Sequence, residues 1–137
     1  MKEIEIYIDG ASKGNPGPSG IGVVICREKE TIKNISAYIG TTTNNVAEYT
    51  ALIYALQEAL ILKAESLKIN TDSQLLHRQL SRAYKVKSPN IIALYNQAVH
   101  LISGFKQVAI KNIPRENNSG ADKLATAAIK RELKKAL

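Results

Sequence analysis

The sequence predicts an α/β domain in which helices flank a five-stranded mixed sheet. Two observations indicate this class. Three short apolar segments with strand character follow one another near the amino terminus, and helical segments separate the two later ones. Consecutive strands favour an antiparallel meander, and strands separated by helices favour parallel additions to the same sheet. The 137 residues match the length of one domain, which we expect to span residues 1–137.

The amino-terminal elements are predicted from alternation and from turn-forming residues. Isoleucines alternate with polar residues from Ile4 to Ile8, so the first strand is expected to end at Asp9-Gly10. Residues 10–20 contain four glycines and two prolines, which predicts a loop. Apolar, β-branched residues then predict strands over 21–26 and 31–39, joined by a turn at 28–30.

The remaining elements are predicted from helical periodicity. Large apolar residues recur at helical spacing after Thr41 and predict a helix of about five turns that ends near Leu62. The rest of the chain divides into two short strands, three helices and a loop: strands over 67–71 and 108–113, helices over 73–83, 90–103 and 122–137, and a loop over 114–120.

Composition excludes several classes of protein. The single cysteine excludes an intrachain disulfide framework and a cysteine-rich zinc module. No apolar run approaches the roughly 18 residues that span a membrane, and the first residues do not resemble a signal peptide. We therefore expect a cytoplasmic, monomeric protein that does not interact with a membrane. The formal net charge of +7 is a weak indication of a polyanionic partner.

Four acidic residues stand at the ends of predicted elements. Asp9 ends the first strand, Glu48 lies in the first turn of the long helix, Asp72 follows the fourth strand, and Asp122 opens the last helix. Each has an ordinary structural explanation: a turn at Asp9-Gly10, a capping box Asn45-x-x-Glu48, an N-cap at Asp72, and a cap Ser119-x-x-Asp122. In this topology, however, the four side chains can converge. Their repulsion would then require hard divalent cations such as Mg²⁺.

Four segments around these acids resemble motifs of the type 1 ribonuclease H family. The matching segments are Tyr7 to Gly22, Thr43-Asn-Asn-Val-Ala-Glu48, Asn70-Thr-Asp-Ser73 and Gly120-Ala-Asp-Lys-Leu-Ala125. They stand in the family's order, and the resemblance covers nearly the whole chain. It implies a ribonuclease H-like fold and hydrolysis of the RNA strand of RNA–DNA hybrids, giving 5′-phosphate and 3′-hydroxyl ends. It also implies two Mg²⁺ ions, or Mn²⁺ as a substitute, held by Asp9, Glu48, Asp72 and Asp122.

The resemblance further implies contacts with the substrate. Asn15, Asn44 and Asn45 match positions at which the family reads ribose 2′-hydroxyl groups, which distinguish RNA from DNA. Thr43 and Asn90 match positions that hold a phosphate of the DNA strand. For these last two residues, helix N-terminus chemistry is the alternative explanation.

The chain departs from the family pattern in two places. The loop over residues 114–120 lacks the histidine of many members, and Arg115 either contacts the scissile phosphate in its place or is a surface cation. Glu116 is an alternative fourth acid, but the Ala-Asp-x-Leu-Ala context favours Asp122. The tryptophan-rich basic protrusion is absent or reduced, as in short archaeal and bacterial forms, which leaves the cations Arg78, Arg82, Lys85 and Lys87.

Two other functions stay open at this point. A relaxed nuclease would also cleave double-stranded RNA, because contacts with 2′-hydroxyl groups do not exclude a second RNA strand. A catalytically silent nucleic-acid-binding module would use the same fold. The presence of all four acids favours the enzyme.

Overall fold

The computed structural model describes residues 3–82 and 85–135. The strands β1 to β5 are Glu3–Ser12, Gly17–Arg27, Glu30–Thr42, Ser66–Thr71 and Gln107–Asn112. The helices α1 to α4 are Asn44–Ile61, Gln74–Leu80, Pro89–Ile102 and Ser119–Lys135, and a 3-10 helix, Arg115–Asn118, precedes α4. The predicted helix ends at Ala83 and at residues 136–137 lie outside the described residues.

The five strands form one mixed sheet in the order β3-β2-β1-β4-β5. β1, β2 and β3 pair in antiparallel fashion, and β4 and β5 extend the sheet parallel to β1. The predicted meander with parallel additions is therefore confirmed. In the parallel register Ile8 of β1 stands beside Thr71 of β4, so the residues that follow them, Asp9 and Asp72, are neighbours at one edge.

The main core lies between the sheet and α1. The three isoleucines of β1 have no solvent exposure, and neither do Leu52, Leu56 and Tyr49 of α1. The Tyr49 hydroxyl donates a hydrogen bond to Oε1 of Gln79 in α2 at 2.8 Å, which satisfies a polar group inside the core. No helix among residues 3–82 and 85–135 has the length and apolar character needed to cross a membrane.

Glycines allow two helices to approach opposite faces of the sheet. A Cβ added to Gly10 of β1 would lie 2.6 Å from the carbonyl oxygen of Ala47 in α1. The preceding residue, Asp9, points to the other face together with its cross-strand partner Gly22. There, an added Cβ on Gly22 would lie 2.8 Å from the backbone nitrogen of Ala125 in α4. Only glycine permits both approaches.

This packing explains why the predicted loop over residues 10–20 is wrong. β1 continues to Ser12 and β2 begins at Gly17, so only residues 13–16 connect the two strands. The glycines that indicated a loop include Gly10 and Gly20, which are strand residues covered by helices. The predicted loop over 114–120 is also shorter, because it contains the 3-10 helix and α4 begins at Ser119.

Candidate functional site

Three carboxylates converge where the pairing of β1 with β4 ends. One oxygen each from Asp9, Glu48 and Asp72 lies within 4.8 Å of the others. The parallel register brings Asp9 and Asp72 together, and α1 contributes Glu48 from its fifth residue, just beyond the first turn in which we expected it. Asp9 and Glu48 are 5% and 8% exposed, so two of the three acids are largely shielded from water.

Glu48 is held from two sides. The backbone N–H of Gly10 donates to its Oε1 atom, and the Ser73 hydroxyl also hydrogen-bonds to the carboxylate. Gly10 therefore serves both the close approach of α1 and the orientation of Glu48. No sequence pattern predicted that Gly10 and Ser73 bond to Glu48, although both residues lie inside the motifs around the acids.

Residues other than these acids cap the helices. Thr43 Oγ1 accepts a hydrogen bond from the Val46 N–H at 3.3 Å and caps α1. Ser73 Oγ accepts from the Leu76 N–H at 3.1 Å and caps α2. The capping explanations for Glu48 and Asp72 are therefore wrong, because each helix already has its cap. For Thr43 the helix N-terminus explanation is confirmed.

Crowding of the carboxylates changes their protonation. Burial raises the pKa of Asp9 to about 9, with further increases from the charges of Glu48 and Asp72. Burial also raises the pKa of Glu48 to about 8, and the Gly10 N–H partly opposes this by stabilising the charged form. The pKa of Asp72 is raised by burial, against a hydrogen bond from Asn118 and the charge of Arg115. The cluster therefore retains protons at neutral pH unless a cation replaces them.

The donor set fits a hard divalent cation. Carboxylate oxygens are the preferred ligands of Mg²⁺, and ions of this kind offset the repulsion that raises these pKa values. Asp122, in the first turn of α4, shares a side-chain hydrogen bond with Asp9 and lines the same cleft. It lies outside the group of three close carboxylates, at its rim.

A cleft of about 620 Å³ opens in front of the carboxylates. Its lining includes four of the predicted substrate-contacting residues: Asn15, Asn44, Asn45 and Arg115. The Asn15 side-chain oxygen accepts from the Asn44 N–H at 3.0 Å, which ties the β1–β2 connection to the start of α1. The side-chain oxygen of Asn45 is buried and has no hydrogen-bond partner among the described residues.

Other predicted residues stand apart from this cleft. Thr43 and Asn90 are not part of its lining; Asn90 is an exposed residue at the start of α3. Glu116 is exposed on the 3-10 helix and does not line the cleft, whereas Asp122 does. Arg82 and Lys85, from the short connection between α2 and α3, line a separate groove with Tyr95.

Comparisons with known proteins agree on one family. A family described as reverse transcriptase-like matches residues 7–128. The chain is 37% identical over 127 residues to a protein named ribonuclease HI from Halobacterium salinarum, covering 92% of this chain. The crystal structure of ribonuclease H1 from that organism superposes with a TM-score of 0.91 at 36% identity, covering 94% of this chain and 98% of that one.

A second solved structure carries a nucleic acid. The structure named LC11-RNase H1 in complex with RNA/DNA hybrid has a TM-score of 0.90 and 42% identity, covering 95% of this chain and 99% of that chain. Curated relatives are longer than this chain. It spans 64% of the Halobacterium protein and 35% of a Mycobacterium tuberculosis relative, "Bifunctional protein Rv2228c", to which it is 40% identical over 129 residues.

Proposed function

This chain belongs to the ribonuclease H family, and from that premise we propose that it hydrolyses the RNA strand of RNA–DNA hybrids, leaving 5′-phosphate and 3′-hydroxyl ends. The observation that carries the proposal is the convergence of Asp9, Glu48 and Asp72 in an open cleft. A silent binding module has no use for a buried cluster whose members repel one another.

We propose that Asp9, Glu48, Asp72 and Asp122 together hold two Mg²⁺ ions, with Mn²⁺ as an alternative. When bound, such ions lower the pKa of an attacking water and neutralise charge on the phosphoryl and leaving oxygens. Asp9 interacts with Glu48, Asp72 and Asp122, which supports a role for all four acids in one site. Asp122 would complete that site from α4.

The protein's own residues supply orientation around the reacting phosphate. The Gly10 N–H donates to Oε1 of Glu48 and the Ser73 hydroxyl also bonds to this carboxylate, so both groups orient a side chain that lines the cleft. Asn45 lines the cleft, and an amide side chain can both donate to and accept from a ribose 2′-hydroxyl. We propose that Asn15, Asn44 and Asn45 read the RNA strand in this way.

Two cationic features support a polyanionic substrate. Arg115 lines the cleft, and its charge partly opposes the rise in the pKa of Asp72, which supports a role for its guanidinium in contacting the scissile phosphate. Outside the four acids, the sequence has 19 basic and eight acidic residues, a formal charge of +11. One chain supplies all the residues named above, which supports a monomer as the active unit.

A panel of labelled duplexes tests this function. RNA–DNA, RNA–RNA and DNA–DNA substrates of one sequence are incubated with the protein in Mg²⁺, in Mn²⁺ and in EDTA. We expect cleavage of the RNA strand of the hybrid in either cation and none in EDTA. Cleavage of RNA–RNA at a similar rate would instead establish the relaxed nuclease, and cleavage in EDTA would refute the metal site.

Matched acid-to-amide variants assign the ligands. Asp72→Asn is expected to abolish cleavage while hybrid binding, measured by fluorescence anisotropy, largely persists. Glu116→Gln removes an equal charge from an exposed residue near the same edge and is expected to retain activity. Full activity of Asp72→Asn would contradict the proposed role of the cluster.

A further inference from the structure

Asn118 is a buried polar residue that no sequence pattern singled out. It ends the 3-10 helix Arg115–Asn118, immediately before α4, and is 1% exposed. The neighbouring Asn117 is exposed. The fold therefore shields one of two adjacent asparagines, and the buried one must find hydrogen-bond partners inside the protein.

The amide nitrogen of Asn118 contacts β1 and the residue that follows β4. It donates to the carbonyl oxygen of Ile8 at 2.8 Å, and its distance to Oδ2 of Asp72 is 3.4 Å. Both partners are acceptors, so the nitrogen rather than the oxygen must face them. Ile8 is the residue before Asp9, and one side chain therefore connects the backbone at one proposed metal ligand to the carboxylate of another.

Asn118 also precedes the helix that carries the fourth acid. α4 begins at Ser119, and Asp122 lies in its first turn. Since the hydrogen bond to Ile8 anchors Asn118, it fixes the starting point of α4 relative to β1. The side-chain oxygen of Asn118 is buried and has no partner among the described residues. Burying this oxygen carries a free-energy cost that an apolar residue would avoid, which indicates that the hydrogen bonds of the amide nitrogen have a specific role.

We propose that Asn118 is the positioning residue that sets Asp72 and the start of α4 in register with Ile8 and Asp9 of β1. This inference rests on the proposed function, because the geometry that Asn118 sets is that of the proposed metal ligands. A carboxylate in place of the amide would face the Ile8 carbonyl and Asp72 with like charge. An apolar side chain would leave both without their donor.

The test compares Asn118→Ala with Asn112→Ala. Asn112 donates from its side chain to the carbonyl oxygen of Thr71 at 3.1 Å, so it braces the residue before Asp72 without touching a carboxylate. Mn²⁺ affinity is measured by calorimetry, and kcat, KM for the hybrid and melting temperature are measured for each variant. Loss of an outer-shell partner typically weakens metal affinity or activity by 10–100-fold.

We expect Asn118→Ala to bind Mn²⁺ about tenfold more weakly and to lose about 10–100-fold in kcat, with KM changed by less than about twofold. Asn112→Ala is expected to keep the wild-type Mn²⁺ affinity and kcat. A purely structural role would lower the melting temperature of both variants and leave the Mn²⁺ affinity unchanged. Wild-type Mn²⁺ affinity in Asn118→Ala, or an equal loss in Asn112→Ala, would overturn the inference.

Asn118→Ser guards against a variant that fails to fold. Its hydroxyl keeps one donor, so its Mn²⁺ affinity is expected to lie between those of the wild type and Asn118→Ala. If Asn118→Ala does not fold, a wild-type Mn²⁺ affinity in Asn118→Ser would count against the proposal. The two hypotheses also fail separately. A wild-type chain that binds Mn²⁺ but does not cleave the hybrid refutes the proposed function, and calorimetry still tests Asn118.

Discussion

The carboxylate cluster should make the metal-free protein less stable as pH rises, and Asp9→Asn should remove much of that effect. The folded-state pKa of Asp9 is about 9, whereas its ordinary value is 3.8. The folded protein therefore binds a proton that the unfolded chain releases between about pH 4 and pH 9. By linkage, the stability that this proton confers is fully present below about pH 4 and is lost as pH rises through about 9.

The structure gives the size of the effect. Carboxylate oxygens of the cluster lie within 4.8 Å, and two unit charges at that distance repel by ~3.5 kcal/mol at an effective dielectric constant of about 20. An asparagine at position 9 keeps nearly the same shape, can still donate to Asp122, and carries no charge. In EDTA, we expect the variant to match the wild type near pH 4 and to exceed its unfolding free energy by at least about 3 kcal/mol at pH 9, because burial of the charge adds to this repulsion.

Urea unfolding followed by circular dichroism measures this difference at several pH values. Glu3→Gln is the matched control, since it removes one negative charge from an exposed position on the same strand. It should show no difference that grows with pH. In saturating Mg²⁺ the difference should become smaller, because a ligand at 100 times its Kd stabilises the wild type by ~2.7 kcal/mol and Asp9→Asn by less.

Equal stability of Asp9→Asn and the wild type would contradict the predicted crowding. If Asp9→Asn and the wild type have the same unfolding free energy at pH 9 in EDTA, the three carboxylates are not crowded in the folded protein. A variant that is less stable than the wild type at every pH would have the same meaning, because the native carboxyl would then be stabilising.

Two further predictions concern α4 and Arg115. Gly22→Ala should destabilise the protein by about 1–3 kcal/mol, measured by thermal unfolding, because the added methyl group meets the α4 backbone. The same change should displace Asp122 and therefore reduce the rate of cleavage in an activity assay. Gly120→Ala adds the same methyl group at ordinary contact distance, 3.6 Å from a Val24 methyl, and should be neutral or stabilising; equal losses would contradict this account. Arg115→Ala should lower kcat by about 10²-fold, with partial recovery in Arg115→Lys, and an unchanged kcat would make Arg115 a surface cation.

Local patterns in the sequence carried much of the fold. Alternation of Ile4, Ile6 and Ile8 and the helical spacing after Thr41 predicted the first strand and the long helix, because burial on one face imposes a period on the chain. The order of strands and helices then limited the topology to a meander with parallel additions, which the sheet has. The three close acids were also predicted from their places at the ends of elements.

The role of the strand glycines depends on how the helices pack against the sheet. Gly10 and Gly20 carry the same local signal as loop glycines, and their role appears only when α1 and α4 lie against opposite faces of the sheet. The same limit applies to Asn118. Nothing in residues near it indicates burial, and its partners, Ile8 and Asp72, are distant in the sequence.

Residue types and local patterns therefore predict which chemical groups the protein has and the order of the elements that carry them. The tertiary structure decided which of those groups meet, because pairing β1 with β4 and packing α1 and α4 against them sets side-chain distances that no local pattern encodes. It brought Asp122 against Asp9 in the same cleft, kept Asn90 out of the cleft lining, and assigned the caps to Thr43 and Ser73. Local periodicity reports burial, whereas distances between remote residues depend on the whole packed fold.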